Sequence, residues 1–415
     1  MAPARLRLWF LGAFWIWLGS PMGAGLAESA QRPVREGLNV LFVVADDLRP
    51  ALGSYGDPLV RSPNIDQLAS RSRRPDSTRL YDFNSYWRTH AGNYTTLPQY
   101  FKENGYITMS VGKVFHPGIS SNHSDDYPYS WSLPAFHPGR DGKLHANLIC
   151  PVNVAEMPEA TLPDIQSTEE AIRLLKSLQR IKRKFFLAVG YHKPHIPFRY
   201  PRRKIRQSYF ASVSYVDTLV GKLLNALDEA ELSHNTVVVF TADHGKPKEM
   251  VELVSLFPTL AELVGLAVPP VCPQPSFHVP LCSEGKSLVQ YFPSSGGGQV
   301  NHGFKRKETP VAFSQYPRPG DIPAPNSDLP LLQDIRVMGY SIRTDDCRCT
   351  VWFGFNPNNF TVDVKDIHGG ELYFEKSDPN EDHNRYNETL HGSPLSKRCP
   401  LVNCLKLGIH SVNLC

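Results

Sequence analysis

Short runs of almost wholly apolar residues recur along the chain as far as Phe240, and they leave few folds open. Leu38–Val44 is apolar except for Asn39, Phe185–Val189 and Thr236–Phe240 share its character, and Ile107–Val111 is a weaker fourth. Runs this short, with no polar alternation, read as strands buried on both faces of a parallel sheet. Helical patterns lie between them. Ser167 and Glu170 are spaced as a capping box, and Ile172, Leu174, Leu175 and Leu178 then fall on one face of a helix over 168–178. Tyr209–Leu227 is a longer amphipathic pattern that turns Val213, Val216, Val220, Leu223 and Leu227 inward. Strands alternating with such helices predict an α/β domain over 38–268, built on a mostly parallel sheet covered on both sides.

After Val268 the texture changes. Paired prolines, the Cys272–Cys282 loop and a linker at Ser294–Gly298 set off a second region over 269–390. There Tyr340–Arg343, Thr350–Phe355 and Glu371–Phe374 are short aromatic strands, which predict a smaller α+β subdomain around an antiparallel sheet. Residues 391–415 form an atypical tail.

The N-terminus predicts a compartment. Arg5 and Arg7 precede the apolar run Leu8–Leu18, and Gly23, Ala24, Gly25 and Ala27 follow. That order of positive, apolar and small residues predicts a secretory signal peptide over 1–27. The run is too short to cross a bilayer, so no membrane span is expected after cleavage. Sequons at Asn93, Asn122, Asn359 and Asn387 agree with export. In an oxidising compartment Cys272 and Cys282 are the best-matched pair, with prolines near both ends of their loop, while Cys399, Cys404 and Cys415 read as unpaired or promiscuous. A net charge of +4 on 415 residues excludes the basic footprint of a nucleic-acid binder. The basic run Arg199–Arg206 reads as a solvated loop in preference to an anion-binding patch.

The strand Leu38–Val44 runs into Ala45-Asp46-Asp47, and Thr236–Phe240 runs into Thr241-Ala242-Asp243-His244-Gly245. Ligands of open α/β sheets bind at the carboxyl ends of strands. Adjacent carboxylates there repel each other unless a cation sits between them, so Asp46, Asp47 and Asp243 predict an oxygen-rich site for Ca²⁺ or Mg²⁺, with Zn²⁺ disfavoured. His244 supplies either a nitrogen ligand or a hydrogen bond to an anion. Gly105–His116 reads as a strand followed by a Gly-Lys turn that aims Lys113 and His116 over the same edge; a surface Lys and a capping His are the bland alternative. Tyr191-His192-Lys193-Pro194-His195 follows another strand, and His195, set between prolines, is its more rigid imidazole. Lys and His beside a metal suit binding of a tetrahedral oxyanion and protonation of a leaving oxygen.

Together these segments resemble the sulfatase family. Gly105–His116 fits the second signature of that family at every defined position, and the aspartates fit its metal ligands in type, order and strand context. The likeness extends in blocks from about Leu38 to Asn387, through Asp47-Leu48-Arg49-Pro50, Val60–Ser70, Arg79–Trp87, Pro194–Tyr200 and Ser314–Pro319. The resemblance implies an alkaline-phosphatase-like α/β sandwich with a smaller C-terminal subdomain. It also implies a lysosomal hydrolase that removes the 2-sulfate ester of L-iduronate in dermatan sulfate and heparan sulfate. Family members hold one Ca²⁺ and use a formylglycine made from cysteine by the formylglycine-generating enzyme. Sorting by mannose 6-phosphate is implied as well.

The sequence also departs from that family. The nucleophile segment Cys-x-Pro-Ser-Arg is expected shortly after Asn64–Ser70, but Ser70 runs directly into Arg71-Ser72-Arg73-Arg74, and neither that motif nor its serine version occurs anywhere. Cys272-Pro273-Gln274-Pro275-Ser276 is a near miss in the wrong region. Further family blocks are missing between Pro201 and Lys204 and after Gly245, where a lysine and a core strand are expected. Clean blocks with clean losses imply a truncated, catalytically inactive form or an incomplete gene model as the alternative to an enzyme. A third reading keeps the superfamily but makes the chain a phosphodiesterase with a Ser or Thr nucleophile.

Overall fold

The computed structural model describes residues 8–11, 14–17, 37–48, 79–81, 84–139, 149–195, 198–201, 208–242, 252–273, 276–277, 279–291, 311–322, 330–344, 346–378 and 381–389. The four apolar runs are strands: β3 (Asn39–Ala45), β4 (Ile107–Gly112), β6 (Phe185–Tyr191) and β8 (Thr236–Ala242). They lie in the spatial order β8-β3-β6-β4 and every pair is parallel. β3 and β6 are buried along their whole length, as strands flanked on both faces by helices must be. The one polar residue of the first run closes the sheet's lower edge: the Asn39 side chain donates to Asn235 Oδ1 (3.1 Å) and accepts from the Phe185 N–H (3.2 Å).

Four helices serve this sheet: α1 (Leu97–Glu103), α2 (Pro163–Ile181), α3 (Ser208–Glu229) and α4 (Leu256–Leu263). In α3 Val213, Val216, Val220, Leu223 and Leu227 are all buried, as their spacing requires. The capping-box expectation for α2 is corrected. The helix starts at Pro163, and Ser167 lies buried inside it. Proline at the first helical position fixes φ and lacks an amide that would be orphaned there, so it sets the start ahead of the serine.

A hairpin occupies the far edge of the sheet. β1 (Leu8–Leu11) and β2 (Phe14–Trp17) pair with each other, and β2 pairs antiparallel with β8, setting Trp15 against Phe240 and Trp17 against Val238. These residues belong to the predicted signal peptide. β8 presents its outer edge to this apolar run, and an unpaired strand edge is a ready template for pairing.

The second region is the predicted antiparallel sheet, ordered β12-β11-β10-β9 from β9 (Ala312–Arg318), β10 (Val337–Arg343), β11 (Cys347–Asn356) and β12 (Thr361–Phe374). Its core, which includes Met338, Tyr340, Ile342, Val351 and Phe353, is separate from that of the parallel sheet. Cys272 and Cys282 form the expected disulfide. Cys347 is also disulfide-bonded, and the tail cysteines Cys399, Cys404 and Cys415 lie outside the described residues. The start of the basic run Arg199–Arg206 belongs to β7 (Phe198–Pro201), which pairs in parallel with β5 (Ile149–Val152); residues 202–207 lie outside the description. No described helix is long and apolar enough to cross a membrane.

Candidate active site

The carboxyl ends of β3, β4 and β6 meet at one edge of the sheet. Asp46 and Asp47 form the turn that leaves β3, tied to β6 by the Asp46 N–H donating to Tyr191 O (3.2 Å). Asp46 is buried at 8% exposure, whereas Asp47 is partly open and takes a left-handed φ of 60°, which aspartate tolerates better than most residues.

Lys113 reaches this pair because two glycines let two strands touch. Gly112 has φ of 74°, and a Cβ there would lie 2.1 Å from Gly190 O; one on Gly190 would lie 1.9 Å from Lys113 O. With no side chain at either place, the Lys113 N–H donates to Gly190 O (2.9 Å), and its ammonium forms a salt bridge with Asp46 Oδ2. His195, on the loop after β6, places Nε2 3.6 Å from Asp47 Oδ2. Each member of the aspartate pair thus faces a cation or an imidazole, which offsets the mutual repulsion of adjacent carboxylates.

His116 sits at the rim, with its carbonyl accepting from Ser121 Oγ (2.8 Å). The residue as a whole is exposed, yet partial desolvation of its ring and the nearby Lys113 ammonium hold its pKa below the ordinary histidine value. The other predicted residues, Asp243 and His244, lie outside the described residues. The register does bring their strand alongside: Ala45 pairs with Ala242, so an aspartate follows next in both segments.

Asp164 was missed by the sequence reading. It lies in the first turn of α2, only 2% exposed, and its carboxylate accepts the backbone N–H groups of His192 (2.8 Å) and Lys193 (3.0 Å). It therefore fixes the start of the loop that carries His195. Pro163-Asp164 was the available signal, since proline followed by an acid marks a helix start.

The chemistry of the donor set fits a hard divalent cation: two neighbouring carboxylates, one of them buried, at the carboxyl edge of a parallel strand. The described residues alone contain no cluster of three metal-binding side chains, so they supply only Asp46 and Asp47. A formylglycine does not fit, because the sequence has no cysteine in the required motif.

Residues 70–281 match the Sulfatase family. The mouse iduronate 2-sulfatase is 46% identical over 549 aligned positions that cover 96% of this chain and 100% of the relative. The human iduronate 2-sulfatase is 45% identical, covering 91% of this chain and 97% of the relative. Since the mouse alignment spans 549 positions and the chain has 415 residues, about a quarter of those positions have no residue here. Among solved structures, a 2-O GAG sulfatase superposes with a TM-score of 0.54 at 16% identity, covering 89% of this chain and 92% of that one. A phosphonate monoester hydrolase of Agrobacterium radiobacter gives 0.58 at 15% identity, covering 89% and 95%. Both likenesses concern the fold, which is the alkaline-phosphatase-like one.

Proposed function

The chain belongs to the sulfatase family of sulfuric ester hydrolases, and from that premise we propose that its site is built for the 2-sulfate ester of L-iduronate in dermatan sulfate and heparan sulfate, degraded in the lysosome. The observation that carries this reading is the convergence of Asp46, Asp47, Lys113 and His195 at the ends of adjacent parallel strands. A bound Ca²⁺ would be held by Asp46 and Asp47, with Asp243 and His244 completing the set, and would supply charge neutralisation at the sulfate oxygens. Lys113 neutralises Asp46 in the free site and is the cation an incoming sulfate meets. His116, its pKa lowered by partial burial and by the nearby Lys113 ammonium, offers a hydrogen bond or accepts a proton at the rim. His195 orients against Asp47, and Asp164 holds its loop.

The signal peptide, glycans at Asn93, Asn122, Asn359 and Asn387, and mannose 6-phosphate sorting complete the lysosomal route. All four asparagines are exposed. At Asn93 the amide oxygen accepts from Arg88 Nη1 (2.5 Å), which leaves the nitrogen for the glycan.

One observation favours a second reading, a non-catalytic product: the absence of any Cys-x-Pro-Ser-Arg segment. Covalent catalysis needs a nucleophile, and Ca²⁺ activates water far less than Zn²⁺ does. The phosphodiesterase reading gains nothing, since the matched family and the near relatives are sulfatases. The test is turnover of a 2-sulfated iduronide by glycosylated protein co-expressed with the formylglycine-generating enzyme. The chain as it stands is expected to be silent, and one with all three missing blocks restored is expected to be active. Silence of the restored chain would sink the substrate assignment. Activity of the original above an Asp46→Ala, Asp47→Ala background would sink the requirement for the missing segment.

A further inference from the structure

The sheet β12-β11-β10-β9 has two unlike faces. One holds the apolar core of the second region. The other carries a cleft of about 250 Å³ whose lining includes Ser314, Tyr316, Ser341, Arg348, Trp352 and Glu371. The register lines these residues up across the strands. Ser341 pairs with Ser314 and with Thr350, and Thr350 pairs with Glu371, so a polar row crosses the sheet. One step along, Gly339 lies between Tyr316 and Trp352.

That glycine shapes the cleft. A Cβ on Gly339 would fall 2.6 Å from the Trp352 ring, so its absence lets the indole lie down on the sheet. Tyr316 stands nearly perpendicular to it, with centroids 6.4 Å apart at 81°, and remains 48% exposed. The two rings make an aromatic corner beside the polar row.

The polar side is pre-set. Thr350 Oγ1 donates to Ser341 Oγ (2.9 Å), Arg348 Nη1 donates to Thr350 Oγ1 (3.0 Å), and Trp352 Nε1 donates to Glu371 Oε1 (3.2 Å). Arg348 is held further by Glu381 (2.8 Å) and Glu371 (3.3 Å). Arg318 differs from it. Its guanidinium lies 4.9 Å from the Trp352 ring centroid, and among the described residues it makes no ion pair. Arg343 and Arg348, by contrast, are both paired with glutamates. A cation positioned on an aromatic ring with its charge uncompensated is poised to meet an anion.

An exposed ring at a corner, a row of hydroxyl, guanidinium and carboxylate groups, and one uncompensated arginine suit a single class of ligand. A pyranose has an apolar face to stack on an aromatic ring and hydroxyls to meet the polar row. The arginine selects one that carries a carboxylate or sulfate. We propose that this face of the C-terminal sheet is a binding site for an acidic saccharide, separate from the site at Asp46 and Asp47. None of its residues belongs to the catalytic edge, so the proposal stands whether or not the chain turns over substrate.

The experiment is calorimetry on the full-length, glycosylated Asp46→Ala protein, in which the first site is disabled. The probes are a heparin-derived tetrasaccharide and, for comparison, neutral cellotetraose. Saturable binding of the acidic probe is expected, weakened about tenfold by Tyr316→Ala and by Arg318→Gln, a change equal to about 1.4 kcal/mol. Near-UV circular dichroism of both variants should match the parent, and cellotetraose should bind at least about tenfold more weakly. Should Tyr316→Ala unfold, Arg318→Gln alone decides. The proposal is overturned if the acidic probe does not bind, if Arg318→Gln binds it as tightly as the parent, or if the neutral probe binds equally well.

Discussion

At Asp164 a buried carboxylate does the work usually given to a cap on a helix, but it does so for another segment's amides. Its two acceptor bonds to His192 and Lys193 are charge-assisted and part-buried, with the carboxylate itself buried. Removing them should cost about 2–3 kcal/mol, since two backbone amides would lose a charged partner. Urea unfolding of Asp164→Ala should register that loss, and Asp164→Asn, which keeps one acceptor, should recover part of it. Equal stability of Asp164→Ala and the parent would show that the loop is held elsewhere. The case also shows why the site was only partly legible. Asp46, Asp47, Lys113 and His195 could be read because each follows a strand pattern closely. Asp164 could be read only as the acid of a helix start, because its partner amides lie 28 and 29 residues away and have no signature in local sequence.

Strands β4 and β6 show how an element boundary becomes a functional device. Gly112 and Gly190 permit a backbone approach that any Cβ would block, and Lys113 is aimed by it. Gly112→Ala combines a left-handed φ with a collision against backbone, so a loss of at least about 2 kcal/mol is expected. Thermal melting of Gly112→Ala should show it, whereas Gly105→Ala, where a Cβ meets no atom within 4 Å, is expected to show only the smaller cost of its positive φ. On β12, His368 donates toward Asp321 (2.8 Å) and Asp366 (3.2 Å), and chiefly the Asp321 bond raises its pKa above the ordinary value of 6.5. A raised histidine pKa contributes stability that is complete below about pH 6.5 and is lost as pH rises through the folded value. NMR titration should place His368 above 6.5, and Asp321→Asn should lower it. A His368 titration unmoved by that change would refute the assignment. The strands themselves were readable from their apolar runs. The true start of α2 was not, because Ser167 and Glu170 mimic a cap that Pro163 makes redundant.

Across the whole molecule, the two sheets keep separate cores, and Leu288, which the change of texture after Val268 assigned to the second region, packs in the first. The pairing partner of β8 was not readable, because edge pairing depends on which strand is left open and not on local pattern. The hairpin at Leu8–Trp17 fills that edge with residues that export would remove. A chain beginning after Ala27 should therefore show faster amide exchange in Val238 and Phe240 than the full chain, together with concentration-dependent scattering from a bare strand. Unchanged protection in the shortened chain would mean the hairpin adds nothing to β8. If exchange does quicken, these ten residues act as a splint while the sheet holds them, and as the predicted signal peptide they would be an address while the translocation machinery does. They cannot serve in both places at once, so the timing of cleavage relative to folding would decide whether this molecule leaves the ribosome's neighbourhood as cargo or stays behind, self-patched.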